Sequence, residues 1–217
     1  YRQHAEGIDR SARWVVCGYS QVFGMDYDET YSPTMSWTSY MANEAIAAND
    51  KRVYTEAWDI KGAYYHCKTK HRQFAEQPPG YERTDSTGNK LAFIAEIMCA
   101  MPGAKDSGFH LHRKIGKVLS ERIGMVKNPA DHSCYRLVEG NDFITICFYV
   151  DDIAVFSTSR NLTDRVFKIV SKHFTIKRAT PLSLLLGVDV KRDTLGTHFS
   201  QQTLIEKIAD TAGITTT

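Results

Sequence analysis

Three acidic residues in this sequence could do chemistry together. Asp151 and Asp152 stand side by side in "FITICFYVDDIAVFS" (143–157), between two apolar runs. Asp59 closes a third such run, "RVYTEAWDI" (52–60). A charge buried near a core is costly unless it is paired, so two adjacent carboxylates at a buried tip ask for a cation. Mg²⁺ prefers carboxylate and water oxygens together with substrate phosphates. Two such ions about 3.5–4 Å apart stabilise the attacking and leaving oxygens of an in-line phosphoryl transfer. That chemistry serves nucleotide polymerases and some nucleases. The bland reading of a bare Asp-Asp pair is an acidic hairpin turn, because Asp is common in turns. The almost uniformly apolar flanks, which bury the hairpin on both faces, weigh against it.

The elements that must hold these acids follow from pattern. Side chains alternate along a strand, so Ile144, Ile146, Phe148 and Val150 share one face, while Thr145, Cys147, Tyr149 and Asp151 share the other. Residues 143–156 are expected to form a hairpin with its turn at the two aspartates. An Asp at the end of a core strand, followed at once by a helix start ("GAYYHCK", 62–68), emerges from the sheet edge level with a neighbouring tip. A helix is expected over 38–48, with Met41, Ala45 and Ala48 on one face and Thr38 or Ser36 as cap. Further helices are expected over 107–123 and 162–174 and from Thr203, the first two with basic outer faces (Arg113, Lys114, Lys117, Arg122; Arg165, Lys168, Lys172). A short strand running into a turn is expected over 13–21, and strands over 52–60, 182–192 and 197–201. Residues 90–98 read as strand or helix, and 76–90 as a Pro- and Gly-bearing loop. Strands and helices alternate without strict βαβ spacing, which favours α+β.

Composition bounds the rest. The chain has 217 residues, 42% hydrophobic and 24% charged, as in an ordinary globular protein of one large or two small domains. Net charge is only +2, so any nucleic-acid contact needs locally arranged basic residues. No run approaches the roughly 18 apolar residues of a membrane span, and no membrane partner is expected. The start is polar and lacks an initiator Met, so the chain is expected to be a piece of something longer. Five widely spaced cysteines without a C-x-x-C pair read as reduced thiols, not a disulfide frame or zinc site. His110 and His112, two apart, do not share a helix face.

Several motifs in order resemble the reverse transcriptase of copia-type LTR retrotransposons (Pseudoviridae), as part of a pol polyprotein. "SARWVVCGYSQVFGMDYDETYSP" (11–33), "DIKGAYYHC" (59–67), "EQPPGY" (76–81), "GMVKNPADHSCYRL", "YVDDIAVFS", "LLLGVDV" and "HFSQ" carry the resemblance over nearly the whole chain. "DYDETYSP", "EQPPGY" and "YVDD" are specific only in combination. The chain departs from the family pattern at Cys17 (usually Lys), at His66-Cys67 (usually Asn-Gly), at Pro102 (usually Tyr) and at Asp106 (often Gln).

The resemblance implies a right-hand polymerase palm with fingers, an α+β fold whose antiparallel palm sheet carries helices on one face. Fingers would come from 1–50 and 68–98, palm from 51–67 and 99–190, and the start of a thumb or connection from 191–217. The implied activity is RNA-directed DNA polymerase: transfer of a dNTP to a primer 3′-hydroxyl. Asp59, Asp151 and Asp152 would be catalytic metal ligands for Mg²⁺, or Mn²⁺ in its place, with the Ile60 carbonyl contributing. Arg13, Tyr64 and Asp106 would serve the nucleotide, Tyr64 as the ring that excludes a 2′-hydroxyl. Tyr149, Val150, Leu186 and Gly187 would lie along primer and template. Lys177 reads as a solvated lysine, with proton donation to pyrophosphate as the alternative. Basic helices around 110–127 and 160–178 would wall the template–primer groove. Implied partners are an RNA or DNA template with primer, dNTP, and the integrase and ribonuclease H parts of a pol polyprotein. The implied location is the cytoplasm, virus-like particles or the nucleus. The alternatives are a domesticated or decayed module that binds nucleic acid or an assembly without catalysis, and a two-metal nuclease.

Overall fold

The computed structural model describes residues 13–77, 80–91, 93–179, 181–193 and 196–214. The first dozen residues of the expected fingers, Pro78 and Pro79 of "EQPPGY", and the last three residues of the expected thumb lie outside the described residues. Two compact units emerge, Tyr1–Ser32 with Tyr64–Leu111, and Pro33–Ala63 with His112–Thr217.

The second unit is built on helix α1 (Trp37–Asn49) and a six-stranded sheet made of β1 (Tyr54–Ile60), β4 (Val126–Lys127), β5 (Cys134–Glu139), β6 (Asp142–Tyr149), β7 (Asp152–Ser157) and β8 (Ile176–Ala179). The strand order is β4-β5-β6-β7-β1-β8, and every pairing is antiparallel. The central hairpin is buried along nearly all its length, as its apolar flanks require. On one face, Trp58, Ile60 and Ile153 pack with Ile115 and Leu119 from helix α2 (Ser107–Lys117) and its closing π turn (Val118–Arg122), and with Val170 of helix α3 (Arg160–Val170). On the other face, α1 sets Tyr40 and Ala47 over Cys147, Ala154 and Phe156.

The helices therefore cover both faces of the sheet, not one. Small residues make this fit: Cys134, Cys147 and Ala154 leave a trough into which α1 settles. A second, three-stranded antiparallel sheet, β9 (Leu184–Leu185), β10 (Val188–Arg192) and β11 (Thr197–Ser200), joins the same cluster through Leu182, Leu185 and Phe199, and helix α4 (Gln202–Thr211) follows it. Ser36 caps α1, its hydroxyl accepting from the Ser39 N–H at 3.1 Å. The buried face of α1 is Tyr40–Glu44–Ala47, not Met41–Ala45–Ala48. Glu44 goes inside because Arg192 meets its carboxylate at 2.5 Å, and a buried charge tolerates burial when paired.

In the first unit, β2 (Gln73–Glu76) pairs with β3 (Ile94–Ile97), which resolves 90–98 as strand. Of the short strand running into a turn expected over 13–21, the turn is present at Gly18–Ser20, but among the described residues the backbone before it is irregular and not a strand. The Val16 N–H donates to the Pro102 carbonyl at 2.9 Å instead of to a ladder. Gly18 and Gly103 sit so close that a Cβ on either would meet backbone oxygen at 2.1–2.2 Å. The acidic loop is tied to β2, with the Gln73 side-chain amide donating to the Asp26 carbonyl at 3.0 Å. Lys70 and His71 converge on Asp28 and hold its carboxyl below its usual range.

Candidate active site

Asp59, near the end of β1, lies directly opposite Asp152, the first residue of β7. Tyr149 of β6 faces Asp152 from the other side, and Lys177 of β8 faces Asp59. Directly opposed residues of an antiparallel pair project from one face, with Cβ atoms about 4.5–5.5 Å apart. The register thus makes a row across four strands, Tyr149–Asp152–Asp59–Lys177, on the sheet face that carries α1. Asp59 is exposed and Asp152 half-buried.

The hairpin turn falls one residue earlier than expected. The Tyr149–Asp152 pair closes a two-residue turn made by Val150 and Asp151. Asp152 is therefore in the strand, on the face of Tyr149, and Asp151 is on the turn, exposed. Val150 has φ 57°, while the φ of Asp151 is not positive. A two-residue hairpin demands that first left-handed residue, normally Gly, and a β-branched residue there is strained. Strain of this kind persists where the surroundings fix it. One such constraint is visible: the Ile60 N–H donates to the Asp151 carbonyl at 3.0 Å, tying the turn to β1.

The electrostatics agree with the geometry. Burial pushes the Asp152 carboxyl above its usual range, and the charges of Asp151 and Asp59 push it further. Among the described residues no ion pair engages any of the three acids; Lys177 stands opposite Asp59 without closing one, so the carboxylates repel one another with no close neutralising contact. Nor, among the described residues, do three or more His, Cys, Asp or Glu side chains close around a point that could hold a metal ion. A closed cage is not what Mg²⁺ requires: it binds through one or two carboxylates and keeps water and substrate phosphate for the rest. Hard oxygen donors, unpaired and mutually repelling, fit such an ion. Ile60 buries its side chain on the opposite face, which leaves only its carbonyl for the ligand role expected of it.

The remaining expected residues are placed as follows. Leu186 and Gly187 form the two-residue turn between β9 and β10, both left-handed, at φ 51° and 77°. Arg13 is exposed in the irregular opening segment, and Tyr64 is half-buried in the short turn of helix Ala63–His66. Asp106 is 2% exposed. One of its carboxylate oxygens meets His110 Nε2 at 3.0 Å, and the other has no hydrogen-bond partner among the described residues. Arg13, Tyr64 and Asp106 belong to the first unit.

Lys177 takes its place in the row from β8, a strand with no apolar alternation to announce it, and is exposed, as a solvated lysine would be. Sequence reasoning missed the brace behind Asp59. Glu56, fully buried, accepts from Trp58 Nε1 at 2.8 Å and from Arg178 Nε and Nη2 at 2.9 and 2.6 Å. Arg178 also reaches Asp164 at 2.5 Å. This locks β8 to β1 immediately beside the Lys177–Asp59 pair.

Known proteins place the chain. The family model described as "Reverse transcriptase (RNA-dependent DNA polymerase)" matches residues 3–217. The "Retrovirus-related Pol polyprotein from transposon RE1" of Arabidopsis thaliana is 28% identical over 194 residues, covering 89% of this chain and 13% of that protein. The corresponding polyprotein from transposon TNT 1-94 of Nicotiana tabacum is 27% identical over 203 residues, 92% of this chain and 15% of its own length. The "Transposon Ty1-H Gag-Pol polyprotein" of Saccharomyces cerevisiae is 25% identical over 170 residues, 76% of this chain and 9% of its own length. The chain thus spans only a small part of the curated relatives it matches. No solved structure matches it. Among the described residues no helix is long and apolar enough to cross a membrane.

Proposed function

This chain belongs to the reverse transcriptase (RNA-dependent DNA polymerase) family, and we propose that it is the palm-and-fingers part of a copia-type retrotransposon polymerase that adds dNTPs to a primer 3′-hydroxyl on an RNA or DNA template. The observation that carries this reading is the direct opposition of Asp59 and Asp152 across β1 and β7, with Asp151 tied to β1 through the turn. Phosphoryl transfer depends mainly on positioning and charge neutralisation, and this arrangement supplies the positioning.

Asp59, Asp151 and Asp152, with the Ile60 carbonyl, would hold Mg²⁺, or Mn²⁺ in its place. The ions would supply neutralisation of phosphate charge and activation of the primer hydroxyl. The chain's own residues do the rest. Tyr149 and Val150, beside the acids, would meet the primer end, and the Leu186–Gly187 turn would support the primer backbone. Lys177, one strand from Asp59, offers a proton to departing pyrophosphate. Tyr64 would exclude the 2′-hydroxyl of a ribonucleotide, and Arg13 would clasp the triphosphate with its planar fork. Asp106 would serve the nucleotide from the interior, by fixing His110 at the start of α2 and not by contact. Fingers over 1–50 and 68–98, palm over 51–67 and 99–190, and the start of a thumb over 191–217 complete the assignment. Integrase and ribonuclease H parts of a pol polyprotein would be its covalent neighbours, in cytoplasm, particle or nucleus.

Primer extension on an RNA template tests the reading. Incorporation with Mg²⁺ or Mn²⁺ that disappears in Asp151→Asn is expected. Template binding without incorporation would instead support a decayed binding module, and template cleavage a nuclease.

A further inference from the structure

The acidic row and the basic helices lie on opposite faces of one sheet. Trp58, Ile60 and Ile153 point toward α2 and α3. Alternation sends their neighbours Asp59 and Asp152 to the other side, where α1 packs. These two helices therefore do not wall the side of the sheet from which the row projects, contrary to what the resemblance implies for them. Their charge still needs an account. Residues 112–123 and 160–173 hold eight Lys or Arg against two acids, Glu121 and Asp164. That is a net of +6 in a chain whose total is +2, so the remainder carries −4.

A charged helix face is commonly just solvated, and some of these cations are engaged. Arg165 pairs with Glu139, Lys117 approaches Glu121 at 3.8 Å, Lys114 sits 5.0 Å from the Phe174 ring and Arg160 lies 4.6 Å from the Tyr54 ring. Four are not: Arg113, Arg122, Lys168 and Lys172 are exposed and form no ion pair among the described residues. The two helices are neighbours, because Lys114 of α2 lies over Phe174 just beyond α3, and Ile115, Leu119 and Val170 share one cluster. The unpaired cations thus lie on two adjacent helices that cover the same face of the sheet. Like charges gathered there, while the rest of the chain is net acidic, repel one another in the free protein and are relieved by a polyanion.

We propose that the α2–α3 face is a second phosphate-backbone site, which holds an RNA strand independently of base sequence and apart from the carboxylate row. Charge complementarity selects a polyanion, and only the choice of RNA rests on the polymerase reading. The site needs no metal and no nucleotide, so its test does not depend on catalysis.

The experiment is fluorescence anisotropy of a short labelled single-stranded RNA, without dNTP, across a salt series. The variant is Arg113→Gln with Lys168→Gln and Lys172→Gln. Each phosphate contact to a single strand contributes about 0.7 to the salt slope. Removing three lowers the slope by about 2 and the affinity by on the order of a hundredfold at about 0.1 M salt. A control with the same net charge, Lys51→Gln with Arg52→Gln and Arg83→Gln, changes affinity by less than about threefold if long-range charge alone is altered. Lys168→Arg with Lys172→Arg retains the affinity. Equal losses in variant and control, or no loss in either, would overturn the proposal. So would binding to anionic phosphatidylserine vesicles that depends on these residues while RNA binding does not. An inactive but RNA-binding protein would sink the polymerase reading and leave this one standing.

Discussion

Replacing Asp152 by asparagine should make the protein more stable while disabling it. Asp152 has Asp59 and Tyr149 as its cross-strand partners and no cation directly opposite it, and its carboxyl is raised by burial first and by the charges of Asp151 and Asp59 next. Taking Asp59 and Asp152 as about 5 Å apart from their register, one like-charge pair costs about 1 kcal/mol in water and about 3 at an effective dielectric of 20. The Asp152→Asn change keeps the shape and removes the charge. For a chain of this size, each kcal/mol moves the melting temperature by roughly 2–4 °C, so an increase of about 2–12 °C is expected at neutral pH and low salt. The pH dependence has a definite sign. A folded-state carboxyl raised above its unfolded value is a liability above the unfolded pKa, and the liability lifts as pH falls through the folded pKa. The stability gap between variant and wild type therefore narrows toward acid. Millimolar Mg²⁺ should raise the wild-type melting temperature and narrow the gap from the other direction, because a cation that binds only the folded site stabilises it. Differential scanning calorimetry at several pH values, with and without Mg²⁺, reads all of this. A destabilised Asp152→Asn variant, or a gap that widens toward acid, would refute the account of like-charge repulsion at Asp152.

Other perturbations probe other parts. Val150→Gly relieves a left-handed β-branched residue and should raise the urea midpoint by the equivalent of about 1 kcal/mol, while slowing primer extension through a looser turn. Arg178→Met leaves Glu56 charged and buried, which should cost about 3–5 kcal/mol in denaturant titrations; restoring stability with Glu56→Gln in the same chain would confirm the pairing. Tyr64→Ala should admit ribonucleotides, seen as a fall in the dNTP-over-NTP preference in single-nucleotide incorporation.

The hairpin, β1, α1, α3 and the meeting of Asp59 with the hairpin acids were legible because each element announces itself locally. Apolar runs of strand length end in Asp, and caps such as Ser36 stand in place. What was not legible depends on partners distant in sequence. Glu44 reads as a solvent residue until Arg192 arrives from β10, so the buried face of α1 is offset from the apolar one. Glu56 likewise looks like a solvent residue until Arg178, itself partly exposed, pairs with it across β1 and β8. β8 (IKRA) has no alternation of its own and becomes a strand because β1 offers it an edge. The segment 13–17 has strand composition, but Gly18 and Gly103 draw its backbone toward residue 102 and leave it no ladder. The covering of both sheet faces was implicit in the doubly buried hairpin. Which helices took which face was set by the small residues Cys147 and Ala154 on one side and by Trp58 and Ile60 on the other.

The central assertion is that two strands far apart in the chain build one cation site. Electron paramagnetic resonance of Mn²⁺ titrated into the protein measures it without recourse to turnover. Wild type should quench the free Mn²⁺ signal, and Asp59→Asn and Asp152→Asn should each weaken binding, although only one of them touches the hairpin. Unchanged affinity in Asp59→Asn would contradict it.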